Sequence, residues 1–290
     1  MAATKEIFLL KELAYEMRMK LLKFCGSYSG SVHIGGDLSM TEMLVALWNY
    51  KIKCNPEDLT WPERDRFIMS KGHGALAMYI AMSLRGFFDY DEIISTYGKL
   101  DSKFGMHPCR VQLPALECSS GSLGQGLAMA NGLALHAKSK GENYRVFCLM
   151  GDGETGEGSV WEAAMLSSSY KLGNIVGLVD RNHQTMTFYT EDKYMSMDPY
   201  ADKWRAFGWN VIEVEDGNDM EQIVNALDAI PDPSGDKPTM IVCNTLKGKG
   251  VSFMERSLGW HSGTLGTEDM ERALADVETA WNAEKEEMTK

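Results

Sequence analysis

Apolar residues along this chain fall into two alternating patterns, short unbroken runs and longer sets at helical spacing. The unbroken runs Val146–Met150 and Ile175–Val179 read as buried strands, and further strands fit Arg66–Ser70, Val211–Val214 and Met240–Asn244. Between them Gly74–Arg85, Ser159–Lys171 and Met220–Leu227 carry apolar residues at helical intervals, and Gly173 reads as the C-cap of the second. Met1–Phe24 spaces Leu10, Leu13, Ala14, Met17 and Leu21 along one helical face, and Thr267–Lys290 reads as a charged, solvated amphipathic helix. Strands alternating with helices predict an α/β fold: a doubly wound, mostly parallel sheet with helices on both faces.

At 290 residues the chain can bury one large core. Lys51–Arg64 and Asp232–Lys237 collect Pro and polar residues, but neither shifts composition enough to separate domains, so a single domain over 1–290 is expected. The net charge is −12 with the acids dispersed, which argues against nucleic acid and anionic membranes as partners. Met1–Phe24 lacks a signal-peptide core, and no apolar run reaches the length of a membrane span. The six cysteines form no CxxC pair, and reduced thiols in a cytoplasmic protein account for them.

The chemistry concentrates around Gly151-Asp152-Gly153. This turn follows one buried run, and Asn182 follows the next, with the helix from Ser159 between them. In a parallel βαβ unit both strand tips face the same edge, which sets Asp152 beside Asn182 where open α/β sheets bind ligands. A carboxylate and an amide oxygen there suit a hard cation such as Mg²⁺ holding a diphosphate. Two other readings compete. Gly151-x-Gly153-x-x-Gly156 is also a dinucleotide fingerprint, with Asp180 roughly twenty residues on as the ribose-binding acid. Yet Asp152, Glu154 and Glu157 would repel a bare diphosphate. Alternatively, the acids of the turn simply cap the next helix. Of the six histidines, His33, His73, His107 and His261 are flanked by Gly or Pro and fall in loops. His136 lies in a helix without an expected role, and His183 follows Asn182 directly.

The segments DRFIMSKGHGALAMY, SSGSLGQGLAMANGLALHAK, GDGETGEGSVWEAAMLSSSYKLGNIVGLVDRN, ADKWRAFGWNVIEV and KGKGVSF resemble transketolase segments, in family order, from about Ser29 to about Gly263. SVHIGGDLSMTEMLVALW resembles the form found in transketolases split into two chains. The resemblance implies thiamine diphosphate as cofactor with Mg²⁺, Ca²⁺ or Mn²⁺. It places His73, Gly153, Asn182 and Lys247 at the diphosphate, His261 between diphosphate and substrate, and the Gly121-Ser122-Leu123 backbone at the aminopyrimidine. His33 and His107 would face the donor sugar's hydroxyls and the developing oxyanion, making His33, His107 and His261 the catalytic set. The metal would take side-chain oxygens of Asp152 and Asn182 and the main-chain carbonyl of Gln184. Glu157 would lie where two cofactor-binding domains meet, and the Gly/Ala-rich stretch Gly124–Ala134 would be a packing surface, at the subunit interface.

The implied activity is transfer of a two-carbon ketol unit from a ketose to an aldose. The glutamate that activates the cofactor, and the arginines that grip a sugar phosphate, belong in this family to a pyrimidine-binding domain not present in these residues. The expectation is therefore a chain inactive alone, paired with a C-terminal subunit in an α2β2 assembly. Departures from the family pattern occur at Val32, Asp37, His183–Phe188, Asp216-Gly217-Asn218-Asp219 and His261–Thr264. They weaken the Gln184 assignment and point to a non-standard donor, a branched, sulfonated or amino sugar. A deoxyxylulose phosphate synthase, a 2-oxoacid dehydrogenase E1 component and a non-catalytic binding module are the alternatives. The histidine set and the KGKGVSF segment favour transketolase.

Overall fold

The computed structural model describes residues 4–288. Residues 1–3 of the expected N-terminal helix and 289–290 of the expected C-terminal one lie outside the described residues. The strands are β1 (Arg66–Met69), β2 (Val146–Gly151), β3 (Ile175–Arg181), β4 (Asn210–Val214) and β5 (Thr239–Asn244). The helices are α1 (Thr4–Ser27), α2 (Ile34–Ser39), α3 (Thr41–Ala46), α4 (Ala75–Leu84), α5 (Tyr90–Thr96), α6 (Gly126–Lys140), α7 (Gly158–Ser169), α8 (Tyr200–Ala206), α9 (Met220–Asp228) and α10 (Thr267–Met288).

The five strands form one sheet in the order β1-β2-β3-β5-β4, every pairing parallel. Successive side chains point to opposite faces of a strand, and the sequence supplies an apolar residue for each. In β2, Phe147 and Leu149 join one core with α1, α3, α4, α9 and α10. Val146, Cys148 and Met150 join the other, with α6, α7 and α8. The doubly wound, helix-covered parallel sheet expected from the sequence is what the chain adopts.

Two local expectations change. Helix α7 stops at Ser169, and the chain turns through Lys171, at φ 54°, rather than at Gly173. Gly173 is required for another reason: a Cβ there would lie 1.9 Å from the carbonyl oxygen of Gly235. Helix α10 is not simply solvated. Its Ala273, Val277 and Trp281 are buried, and the Trp281 ring stacks on Tyr15 of α1 at 5.4 Å. No helix among the described residues is long and apolar enough to cross a membrane.

Parallel pairing brings all five C-terminal strand ends to one edge. There β1 leads to α4 on one face while β2 leads to α7 on the other. The connections diverge and leave a crevice between the strand ends.

Candidate active site

A cleft of about 500 Å³ opens at this edge. Its walls include His33, His73, His107, Gly121, Leu123, Asp152, Gly153, Glu157, Asn182, Gln184, Lys247 and His261. Loops separated by more than two hundred residues thus converge. Of the expected site residues only Ser122 is off the wall, exposed beside it. His136 also lies elsewhere, exposed on α6. His183 faces a neighbouring crevice of about 670 Å³.

The floor is built from strand tips. Gly151 of β2 stands in register with Asp180 of β3, so the next residues along, Asp152 and Asn182, follow adjacent strands. The Asp152 carboxylate is buried, accepting from the Gly153 amide at 2.8 Å and from the His183 amide at 2.6 Å. Asn182 donates from Nδ2 to Asp180 at 3.0 Å, and its Oδ1 accepts from the Gln184 amide at 3.2 Å. The side-chain oxygen of Gln184 is buried and has no hydrogen-bond partner. Burial, reinforced by Asp180, pushes the Asp152 carboxyl up to about 7 against the pull of the two amides. Two buried carboxylates side by side favour a cation between or beside them. Among the described residues no three His, Cys, Asp or Glu side chains converge on a metal position. A cation here would need amide, main-chain or ligand oxygens as well.

Asp180 is the residue whose role changes most from the dinucleotide reading. It is wholly buried and accepts from Lys71 Nζ at 2.6 Å, Ser39 Oγ at 2.7 Å and Thr245 Oγ1. Burial raises its pKa, but Lys71, Thr245 and Ser39 outweigh that and hold the carboxyl below its ordinary value. Asp180 does not line the cleft, so it is not offered to a ribose there. Gly153–Gly156 also forms a tight 3-10 turn before α7, not a bare helix N-terminus. The acids of the turn divide their work. Glu154 is buried and accepts from Ser70 Oγ, the Gly124 amide at 2.9 Å and the Gly151 amide at 3.1 Å, bracing three loops. Glu157 is exposed at the mouth and makes no cap hydrogen bond.

Above the floor, His33, His73 and His261 cluster with ring centroids 5.1 to 5.8 Å apart. Burial first, and then the Lys71 ammonium, depress His73 to about 2. Burial and Lys247 depress His261 to about 3, and burial and His107 lower His33. All three are neutral imidazoles near pH 7. Lys247 is buried and reaches His261 Nδ1 at 2.8 Å and the Thr185 carbonyl at 3.0 Å. Burial lowers its pKa to about 8. Glycines keep backbone open to the cleft: a Cβ on Gly153 would sit 3.1 Å from Thr185 Cγ2, and one on Gly121 3.4 Å from the His107 ring.

The donor set fits a diphosphate with a divalent cation. It offers two ammonium groups, neutral N–H donors and free backbone on one side, and carboxylate, amide and orphaned oxygens on the other. Sequence reasoning missed Lys71, and it singled out His183–Phe188 only as a departure at the metal loop, not as the hairpin wall Thr185–Phe188, where Thr185 and Phe188 bond back to each other. Lys71 directly follows a strand in the same segment as His73, which was the available signal.

A family model described as "Transketolase, thiamine diphosphate binding domain" matches residues 17–287. One subunit of the apulose-4-phosphate transketolase of Phocaeicola vulgatus is 41% identical, over 84% of this chain and 85% of its own length. The SqwG subunit of the 6-deoxy-6-sulfo-D-fructose transketolase of a Clostridium species is 38% identical, over 86% of this chain and 87% of its own. Human transketolase is 33% identical over 92% of this chain, which spans 42% of the human protein. The transketolase structure from Campylobacter jejuni superposes with a TM-score of 0.84 at 28% identity, covering 96% of this chain and 43% of that one. The chain thus spans less than half of such full-length transketolases.

Proposed function

This chain belongs to the transketolase family, and on that premise we propose that it is the diphosphate-binding subunit of a two-chain transketolase. It would be one domain over 1–290, working in the cytoplasm with thiamine diphosphate and Mg²⁺. A second subunit would contribute the pyrimidine-binding domain, in an α2β2 complex. The observation that carries this is the convergence of Asp152 and Asn182, on adjacent strand tips, with Lys71, Lys247 and three neutral histidines in one cleft. The match to relatives that are themselves named as separate transketolase subunits, over most of their length, supports the two-chain reading.

In this reading Asp152 and Asn182 side-chain oxygens and the Gln184 main-chain carbonyl would hold the cation, leaving its other positions to diphosphate and water. His73, Gly153 and Lys247 would take the diphosphate, and the Gly121–Leu123 backbone the pyrimidine. Thiamine diphosphate, when bound, supplies the electron sink that cleavage of the ketose C2–C3 bond requires. The chain's own work is to orient the donor and manage protons. Neutral His33 and His261 can each donate or accept one at the sugar hydroxyls. His107, exposed at the mouth, can do the same with access to water. Glu157 would meet the partner domain. Relatives named for a branched and a sulfonated ketose make such donors the first to try here.

The test combines the purified chain with the candidate partner chain encoded beside it, plus Mg²⁺ and thiamine diphosphate. Ketol transfer is then assayed with phosphorylated, branched and sulfonated ketoses. Turnover is expected from the mixture only. Full activity from this chain by itself, or CO₂ release from pyruvate in place of ketol transfer, would refute the proposal.

A further inference from the structure

We infer that Asp180 is a positioning residue, which fixes the Asn182 amide so that its oxygen, and not its NH₂, is offered at the strand tip. The inference rests on the cation-and-diphosphate reading above, and concerns how this chain prepares one ligand of that site.

An asparagine amide has two orientations of nearly equal shape, one presenting oxygen and the other NH₂. Only a neighbour with a fixed hydrogen-bonding sense can tell them apart. Asp180 is such a neighbour. It lies at zero exposure, in register with Gly151 on one side and Cys243 on the other. Its donors come from four parts of the fold: Lys71 after β1, Ser39 in α2, Asn182 after β3 and Thr245 after β5. A carboxylate buried this deeply persists only when paired and hydrogen-bonded, and the Lys71 ammonium at 2.6 Å supplies the pairing charge. An ionised carboxylate can only accept. It therefore admits the Asn182 NH₂, which it holds at 3.0 Å, and repels the oxygen. The oxygen is turned the other way, where it takes the Gln184 amide at 3.2 Å and keeps a lone pair for a further partner. Hydrogen-bonded groups behind a metal ligand orient it in this manner, and their loss typically costs about 10- to 100-fold in metal affinity.

The test uses the chain joined to its partner subunit, with saturating thiamine diphosphate and Mn²⁺ as the probe metal, followed by electron paramagnetic resonance. Asp180→Asn removes the acceptor-only neighbour and should weaken Mn²⁺ binding about 10- to 100-fold. The exchange variant Asp180→Asn/Asn182→Asp should recover most of that loss. A carboxylate at position 182 has no wrong way round, and the new amide at 180 can donate to it. A role confined to folding predicts no such recovery. Unchanged affinity in Asp180→Asn, or a folded exchange variant that stays as weak, would overturn the inference. Should neither variant fold, hydrogen exchange of the Asn182 side-chain NH₂ in the wild-type chain decides, by nuclear magnetic resonance. Slow exchange before and after metal addition is expected, and rapid exchange overturns the inference. Failure of the wild-type complex to take up Mn²⁺ would instead sink the functional reading, leaving the NH₂ exchange to judge the orientation.

Discussion

Asp37 gives the sharpest test of the electrostatics beneath the cleft. It sits in α2 at zero exposure, and neither carboxylate oxygen has a hydrogen-bond partner. Burial pushes its pKa from 3.8 to about 8, with Lys71 and then the nearby Ala77 backbone amide, too poorly placed for a full hydrogen bond, drawing it down and Asp180 pushing it up. The other titratable groups facing it are the Cys25 thiol and the Tyr97 hydroxyl. The unfolded chain releases this proton near pH 3.8, whereas the folded chain keeps it to about pH 8. In that window the folded state binds more protons, so stability falls as pH rises, by up to about one decade in the folding constant per unit. The contribution is complete below the unfolded pKa and lost as pH passes through the folded one. Over the whole window the ceiling is about four decades, on the order of 5 kcal/mol, a large share of the ~5–15 kcal/mol that holds a domain together. Asp37→Asn keeps the shape and removes the titration. Urea unfolding of both chains, followed by circular dichroism from pH 5.5 to 9, should show their difference in stability changing steadily with pH, the variant gaining on the wild type toward alkaline pH. Subtracting the two cancels groups common to both chains, such as Asp152 and Glu154. Parallel profiles would refute the reasoning.

Three further perturbations follow from particular contacts. Trp281→Ala removes a buried ring stacked on Tyr15 at 5.4 Å, and should cost about 3–5 kcal/mol. Hydrogen exchange should quicken along α10 first, and a uniform change over the chain would argue against that account. Gly173→Ala drives a methyl into the Gly235 carbonyl, and should cost about 1–3 kcal/mol, seen as a lower Tm; an unchanged melting curve would contradict it. Lys247→Met keeps the buried stem but loses the ammonium beside His261. Thiamine diphosphate affinity in the two-subunit complex should then fall about 10- to 100-fold, as expected for a charged hydrogen bond of about 1.5–3 kcal/mol. Calorimetry at fixed Mg²⁺ would measure it, and equal affinity would remove Lys247 from the diphosphate contacts.

The central strands and their layering were legible in the sequence because β2, β3 and β5 are buried on both faces, which leaves continuous apolar runs such as Val146–Met150, whereas the edge strand β4 exposes Glu213. Asp152 and Asn182 were legible because a βαβ unit fixes where its strand tips lie, whatever the surrounding packing. What the pattern could not show were partnerships across distant loops. Lys71 and Asp180 are 109 positions apart and meet only once β1, β2 and β3 pair. Nothing local distinguishes Asp180 as a buried acceptor from Asp180 as a ribose ligand. Gly173 failed as a cap signal for the same reason, since its constraint comes from the 232–236 loop rather than from its own helix.

The two layers of the site divide the electrostatic work. In the lower layer Lys71 and Asp180 pair at 2.6 Å, and that pair ties the tips of β1 and β3 together by charge. In the upper layer burial contributes most to the depressed pKa values of His73 and His261, with Lys71 and Lys247 the largest charged contributors. An arriving diphosphate would oppose the influence of the lysines but would not restore the water that burial removed. His73, depressed to about 2, has the most to recover before it could gain a proton near pH 7. It is therefore suited to donating a fixed N–H rather than carrying charge. In the proposed reading, proton transfer would then fall to His33, His261 and the exposed His107. Anchoring and proton handling would thereby fall to different imidazoles of one cleft.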